Sequence, residues 1–173
     1  MTLIPDTKDW TWVLERPCPE CGYDGRAVQF ADIPALVGAN AAEWQRVLER
    51  PDVRERPNST TWSALEYAAH VRDVFSVFTA RLELMLAQDN PDFANWDQDA
   101  TALAERYDEQ DPQVVATELA DAAQHAAESF ALVPEAELGR TGRRSDGAVF
   151  TVSSLGRYFV HDPVHHLHDV GGR

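Results

Sequence analysis

Four of the protein's six histidines lie within eight residues near the end of the sequence, from His161 to His168. If this run is helical, His161 and His165 lie one turn apart and project from the same face. Two imidazoles at this spacing let a single helix bind a transition metal. The alternative is a polar helix end, where histidine interacts favourably with the C-terminal dipole. A third ligand from another element would decide between the two interpretations.

His70 is a candidate for that third ligand, and it lies in a segment with the apolar spacing of an amphipathic helix. It falls near the angular sector of Val74 and Val77. A lone histidine on such a face is more often a core residue satisfied by a hydrogen bond. Two facing helices, however, would bring His70, His161 and His165 to one point and leave a fourth coordination position open. Imidazole ligands of this kind accept zinc, nickel, copper or iron.

The two cysteines form a Cys-x-x-Cys motif, Cys18 to Cys21, followed by Gly22. The motif is typical of half a zinc ribbon, but the sequence has no second pair to complete four thiolates. A redox pair is another interpretation, although no βαβ pattern surrounds it. Histidine or carboxylate ligands from elsewhere would also complete a site. We favour a rigid turn made by Pro17, Pro19 and Gly22, with both thiols reduced.

Length and composition predict one globular domain. The chain has 173 residues, of which 44% are hydrophobic and 25% charged. A net charge of −14 without a concentrated basic cluster argues against binding to nucleic acid or to an anionic membrane surface. No apolar run approaches the length of a membrane span, and no signal peptide is visible at the N-terminus, so we expect a cytoplasmic protein.

Hydrophobic periodicity predicts an all-α fold with four long helices. Their expected positions are residues 32–48, 63–88, 112–132 and a last helix from about 151 to 169, with a short helix near 101–106. Residues 139–147 are expected to form a basic, glycine-containing turn, with Val149 to Thr151 extended. Pro163 falls inside the last helix and predicts a kink or a tightened last turn. We therefore expect an irregular N-terminal extension over residues 1–31, containing the Cys-x-x-Cys turn, and a four-helix bundle over 32–173.

The chain resembles the DinB-like superfamily of metal-binding four-helix bundles, which includes mycothiol-dependent maleylpyruvate isomerase. The resemblance rests on a histidine in the middle of the second helix, His70, within a Trp62-x-x-x-Glu66-Tyr67-x-x-His70 pattern, and on the His161-x-x-x-His165 pair. It covers roughly residue 32 to the end and is strongest with an actinobacterial-type group. The Cys-x-x-Cys segment lies outside the shared fold.

The resemblance implies that His70, His161 and His165 bind a divalent metal, zinc or nickel, with water completing the shell. His166 is adjacent to this pair, but about 100° of helical rotation turns it away from His165, which we therefore prefer. Asp169 continues the His161–His165 row and is a candidate for orienting a ligand's second nitrogen. Glu66, one turn before His70, is another candidate for this role.

The function implied by the resemblance is a metal-dependent, small-thiol-dependent S-transferase or isomerase. A metal with an open position would stabilise the thiolate of a cofactor such as mycothiol, which then attacks an electrophilic substrate. Glu66 and Arg72 are the candidate catalytic residues. Arg143, Arg144 and Arg157 are candidates for binding carboxylates of the cofactor, because guanidinium pairs bidentately with them. For each arginine, a solvated surface position is the alternative.

Two other functions fit the same residues. A metal-dependent hydrolase would use Glu66 or Asp162 as general base and would need no thiol. A non-enzymatic metal-binding stress protein would instead have a closed, structural site that unfolds without metal. The expected partners are a small thiol and an electrophile, and the surface of a small bundle is compatible with a homodimer.

Overall fold

The computed structural model describes residues 9–172. Its five α-helices are α1 (Ile33–Leu48), α2 (Ala64–Ala87), α3 (Gln98–Ala104), α4 (Pro112–Ala131) and α5 (Val152–Asp169). Three short strands are β1 (Asp92–Phe93), β2 (Thr141–Arg144) and β3 (Val149–Thr151). Single 3-10 turns lie at Thr11–Leu14, Phe30–Asp32, Tyr107–Glu109 and Glu135–Glu137. The four long helices that the sequence predicted are present, and α3 begins a few residues before its expected position.

Three of the four long helices, α2, α4 and α5, begin at a residue whose side chain caps the helix. Ser63 accepts a hydrogen bond from the Glu66 backbone N–H, and the Glu66 carboxylate accepts from the Ser63 N–H, which closes a capping box at the start of α2. Asp111 caps α4 immediately before Pro112, which has no N–H to satisfy. Thr151 and Ser154 form an equivalent box at the start of α5. These caps fix where each helix starts and therefore which side chains share a face.

The helices pack as a four-helix bundle around an apolar core. Helix α4 packs against α1 and α2, and α5 packs against the same two helices. At the centre, the ring of Phe159 stacks on those of Phe78 and Phe130, with centroids 5.1 and 5.3 Å apart. Gly156 allows close approach here, because a Cβ at that position would lie 2.5 Å from the Ile33 Cδ1. Aromatic stacking and close packing therefore hold α5 against its neighbours.

The strands form one sheet in the order β1-β2-β3, in which β1 pairs with β2 in parallel and β2 pairs with β3 antiparallel. In the sequence β1 follows α2, and β3 leads into α5. The expectation of a turn over residues 139–147 is therefore wrong for β2, although β3 matches the predicted extended stretch. The strand is short and holds the small residue Gly142, where an added Cβ would lie 2.8 Å from the Met85 Cγ. Such a segment has too few apolar positions for a period of two to be visible in the sequence.

The N-terminal segment packs along α5, where Val13 and Cys18 are buried. The Tyr23 hydroxyl donates a 2.6 Å hydrogen bond to the Arg157 carbonyl oxygen. The N-terminal segment shares the core of the bundle. The domain boundary predicted after residue 31 stays a prediction. Within residues 9–172, none of the helices combines the length and the apolar character that crossing a membrane requires.

Candidate metal centre

Helix α5 carries two overlapping pairs of potential metal ligands, each with i, i+4 spacing. Asp162 and His166 form one pair, and His161 and His165 form the other. Because consecutive residues of an α-helix are turned by about 100°, the two pairs lie on adjacent faces. Each pair meets different residues from another part of the chain, which gives two separate clusters.

The first cluster, here named the His70 cluster, consists of His70 from α2 with Asp162 and His166 from α5. The Asp162 Oδ1 lies 3.2 Å from the His70 Nε2 and 3.8 Å from the His166 Nε2. Ligand atoms that share one tetrahedral zinc ion, at bond lengths near 2.1 Å, are about 3.4 Å apart. The two distances lie on either side of this value, so the three side chains fit a metal with two imidazole ligands and one carboxylate ligand.

Aromatic rings and a carboxylate orient these ligands. The His70 side chain is fully buried and stacks on Trp96, with ring centroids 5.2 Å apart and planes 3° from parallel. Its Nδ1 has no hydrogen-bond partner among the described residues. The His166 Nδ1 lies 3.0 Å from the Asp169 Oδ2, an arrangement that fixes the ring of a metal-binding histidine. Asp169 is therefore placed to orient His166, and its other carboxylate oxygen lies 3.8 Å from the Nε2 of His165, the row in which its role was predicted.

The electrostatics of the cluster keep its carboxylate ionised. Burial raises the pKa of Asp162, but the nearby imidazoles of His70 and His166 outweigh that effect and lower the pKa to about 2. At neutral pH the cluster thus presents an ionised carboxylate, which need not lose a proton before it binds a cation.

The second cluster, here named the Cys18 cluster, consists of Cys18 and Cys21 with His161 and His165. The Cys18 Sγ lies 3.6 Å from the His165 Nδ1. Both histidines and Cys18 are buried, whereas Cys21 is partly exposed. Burial, strengthened by the neighbouring His165, lowers the pKa of His161 to about 4, so its imidazole is neutral at pH 7.

The three histidines predicted to share one metal are therefore divided between the two clusters. His70 is grouped with Asp162 and His166, while His161 and His165 face the Cys-x-x-Cys turn. The reason is helical register, because the face of α5 that meets α2 is one residue further along than the histidine pair suggested. The N-terminal segment occupies the face that the predicted pair presents.

A cavity of about 850 Å³ lies beside both clusters. Asp162, His166, His161 and His165 all border it on the α5 side. Aromatic and acidic side chains form much of its wall, and they include Trp10, Trp62, Tyr67, Trp96, Asp97 and Asp99. A small molecule in this cavity would therefore lie against the α5 ligand rows.

Two arginines, Arg81 and Arg144, also border the cavity. Arg81 donates a 3.0 Å hydrogen bond to the Ala94 carbonyl oxygen, and within residues 9–172 it forms no ion pair. Burial and the charge of Arg144 lower the pKa of Arg81 to about 10, so it remains protonated at neutral pH. Arg144 donates to Asp146 and, over 3.1 Å, to the Tyr158 hydroxyl. With Arg144 paired to Asp146, the Arg81 guanidinium is the cation on this wall that an anionic group in the cavity would meet.

The two predicted catalytic residues lie outside the cavity wall. Glu66 is buried and accepts two hydrogen bonds from the Arg56 guanidinium and one from the Ser63 N–H. Arg72 donates to Asp73 over 2.8 Å and to Glu118 over 2.7 Å. Both charges are thus engaged in contacts that stabilise the fold.

Of the three arginines predicted to bind a cofactor, Arg144 borders the cavity. Arg143 is exposed and pairs with Asp92 over 2.7 Å. Arg157 lies beside the Tyr23 contact, and its side chain reaches the Ser153 carbonyl oxygen at 3.4 Å. The strand β2 explains this division, since Arg143 and Arg144 are consecutive and project to opposite faces.

Sequence reasoning missed Arg81, although a signal for it existed. Arg81 follows His70 by 11 residues, which is about three helical turns plus 20°, so both project from the same face of α2. From the sequence, Asp162 was a candidate general base but not a candidate metal ligand. The i, i+4 spacing of Asp162 and His166 is the same as that of His161 and His165, and it would have indicated Asp162 equally well.

The family model of the DinB superfamily matches residues 35–170. No curated protein matches the chain significantly. Among solved structures, the chain is similar to YfiT from Bacillus subtilis, described as a probable metal-dependent hydrolase with an unusual four-helix bundle topology. That similarity has a TM-score of 0.72 and 17% sequence identity, and it covers 81% of this chain and 83% of YfiT. The fold that the resemblance implied is confirmed, and this chain belongs to the DinB superfamily.

Proposed function

We propose that this protein is a metal-dependent enzyme whose reaction takes place at the His70 cluster. The observation that carries the proposal is the convergence of His70, Asp162 and His166 beside a cavity of about 850 Å³. Three protein ligands leave a coordination position free, which is the feature that separates catalytic from structural zinc sites. Zinc is the metal we infer first, with nickel as the alternative that imidazole and carboxylate ligands also accept.

The reaction we propose is transfer or isomerisation that depends on a small thiol. The bound metal would supply a free position where a thiol or a water loses its proton at neutral pH. Arg81 and Arg144 would hold a carboxylate of the thiol cofactor or of the substrate in the cavity. Mycothiol is the thiol that the family resemblance suggests. Trp62, Tyr67 and Trp96 would exclude water around the electrophile.

Hydrolysis is the second candidate, and the similarity to YfiT, a probable metal-dependent hydrolase, favours it. The same three ligands serve it, and the Asp162 carboxylate would be occupied as a ligand rather than act as a general base. The two reactions differ in one requirement, since hydrolysis proceeds without added thiol. A cytoplasmic location and a homodimer stay predictions.

The experiment measures turnover of zinc-loaded protein with a chromogenic electrophile, 1-chloro-2,4-dinitrobenzene, in the presence of mycothiol or cysteine, and of p-nitrophenyl acetate without thiol. We expect thiol-dependent turnover that His166→Ala abolishes. The matched control is His168→Ala, an exposed imidazole two residues further along α5 that is outside both clusters. Turnover of the ester alone would favour hydrolysis. Thiol-dependent turnover that survives in His166→Ala would refute the His70 cluster as the reactive centre.

A further inference from the structure

We propose that Cys18, Cys21, His161 and His165 form a second metal site, a closed tetrahedral zinc site that fastens the N-terminal segment to α5. It is separate from the His70 cluster and does not depend on the proposed function. Two thiolates and two imidazoles are a donor set that structural zinc sites use, and four protein ligands complete the coordination shell.

The positions of the donor atoms fit this geometry. One ligand atom from each of the four residues lies within 4.8 Å of every other. For bond lengths of about 2.3 Å to sulfur and 2.1 Å to nitrogen, a tetrahedral zinc ion sets its sulfur and nitrogen ligands about 3.6 Å apart. The Cys18 Sγ and the His165 Nδ1 are separated by 3.6 Å. The cluster thus has the spacing that a shared ion requires.

A buried nitrogen without a partner points to the same conclusion. The His161 side chain is buried, and its Nε2 has no hydrogen-bond partner among the described residues. An unsatisfied polar atom in the interior destabilises the folded state, and a metal ion bound to it would remove that cost. Trp10 covers the imidazole, with ring centroids 5.4 Å apart, so the nitrogen has an apolar neighbour on that side.

The backbone of the Cys-x-x-Cys turn presents both thiols to α5. The Gly22 N–H donates to the Cys18 carbonyl oxygen over 2.9 Å, and the Cys18 N–H donates to the Tyr23 carbonyl oxygen over 2.7 Å. Gly22 has a φ of 75°, a left-handed conformation that suits glycine. The turn favoured from the sequence is therefore present, and in the proposed site it also positions both thiols toward α5. Both cysteines are free thiols.

Two carboxylates lie close to one of the proposed ligands, His165. The His165 Nε2, on the far side of the ring from Cys18, lies 3.6 Å from the Glu20 Oε2 and 3.8 Å from the Asp169 Oδ1. Carboxylates in this position orient a metal-binding imidazole and select its tautomer. The group of Glu20, His165 and Asp169 is then an outer layer of the same site.

The proposed zinc site would hold the N-terminal segment in place as one wall of the cavity. Asp9, Trp10 and Glu20 border the cavity, and the Cys18 cluster joins their segment to α5. Release of the ion would leave this wall held mainly by the Tyr23 hydrogen bond and apolar packing. The inferred role is therefore structural, shaping the space above the His70 cluster.

The test uses full-length protein loaded with zinc or with cobalt under reducing conditions, then freed of unbound metal. We expect about two ions per chain, about one in the double variant Cys18→Ser/Cys21→Ser and about one in His166→Ala, because each variant loses one site. Cobalt-loaded wild type and His166→Ala should show the near-ultraviolet thiolate-to-cobalt charge-transfer band, which the double variant should lack. A double variant that keeps the metal content of the wild type would overturn the proposal.

The outcome separates this site from the proposed function. Protein that binds one ion, lost in Cys18→Ser/Cys21→Ser but kept in His166→Ala, supports the Cys18 cluster and contradicts the His70 cluster. Serine is close to cysteine in size and Cys21 is partly exposed, so the double variant should preserve helicity by circular dichroism. If that variant does not fold, the cobalt spectrum of the wild type decides alone, and absence of the thiolate band refutes the site.

Discussion

Replacing Glu66 with glutamine tests whether this buried carboxylate supports the fold or the chemistry. The Glu66 side chain is 4% exposed and its Arg56 partner 30% exposed. One carboxylate oxygen accepts from the Arg56 Nε over 2.8 Å and from the Ser63 N–H over 2.9 Å, and the other accepts a second guanidinium hydrogen bond. Glutamine keeps the shape but replaces one accepting oxygen with an amide that only donates.

We expect Glu66→Gln to lower the free energy of unfolding by about 2–3 kcal/mol. A hydrogen bond to a charged group contributes about 1.5–3 kcal/mol, and breaking a fully buried ion pair costs about 3–5 kcal/mol. In the variant, the exposed part of the Arg56 guanidinium can form hydrogen bonds with water, so the expected loss of stability lies below that for a fully buried ion pair. Metal content and activity per folded molecule should not change, because the carboxylate does not border the cavity.

The effect should depend on pH in a defined direction. Burial raises the pKa of Glu66, but hydrogen bonds from Arg56 and Ser63 outweigh it, so the pKa in the folded protein lies below its ordinary value. The pair therefore stabilises the protein above the unfolded-state pKa of about 4.3, and this contribution is lost as the pH falls through the lower folded-state value. The difference between wild type and Glu66→Gln should shrink on acidification.

Urea denaturation followed by circular dichroism at pH 7 and pH 3.5 measures these differences. Glu83→Gln is the matched control, since Glu83 lies on the same helix with its side chain 59% exposed, and should change stability by less than about 0.5 kcal/mol. If Glu66→Gln proved as stable as Glu83→Gln while losing turnover, the structural role would be refuted and a catalytic one restored.

Three further predictions concern the cavity and the bundle. Arg81→Met should raise the KM for an anionic substrate or thiol roughly 10- to 100-fold in steady-state kinetics, whereas Arg143→Met, outside the cavity, should not. Gly156→Ala should cost about 1–3 kcal/mol in urea denaturation, because its Cβ would meet Ile33 and two phenylalanine rings; Gly38→Ala, with open space around it, should be neutral or stabilising. Asp111→Ala should cost about 0.5–2 kcal/mol in the same assay through loss of the α4 cap, and an unchanged midpoint would contradict that role.

The helices were predictable because their signals are local. Asp111 before Pro112 and an apolar stripe at helical spacing fix α4 within a residue or two of its observed bounds. The strand β2 was not predictable, since four residues with one buried glycine leave no pattern of period two. One of its two pairings is with β1, which is distant in the sequence, and the other is with β3 across the turn that follows.

The ligands were recognisable by type, but their grouping was not. Which of two adjacent faces of α5 meets α2 depends on how the helices rotate in the bundle, and a rotation of about 100° exchanges the Asp162 row for the His161 row. The sequence of α5 does not encode that rotation locally. Cys18 and Cys21 were likewise recognisable as potential ligands, whereas their proximity to His161 depends on the path of the N-terminal segment over the bundle.

The interleaving of two ligand pairs on one helical turn limits how this part of the gene can vary in length. Inserting or deleting one residue between Gly156 and His161 would rotate all four α5 ligands together by about 100°. An insertion would turn the His161–His165 pair toward His70 and leave the Cys-x-x-Cys turn without a pair, whereas a deletion would turn the Asp162–His166 pair toward that turn and leave His70 without one. Substitutions can alter either site singly, but a change of length before His161 changes the ligands of both. Natural length variation is therefore expected in the loops around β2 and not within this stretch of α5.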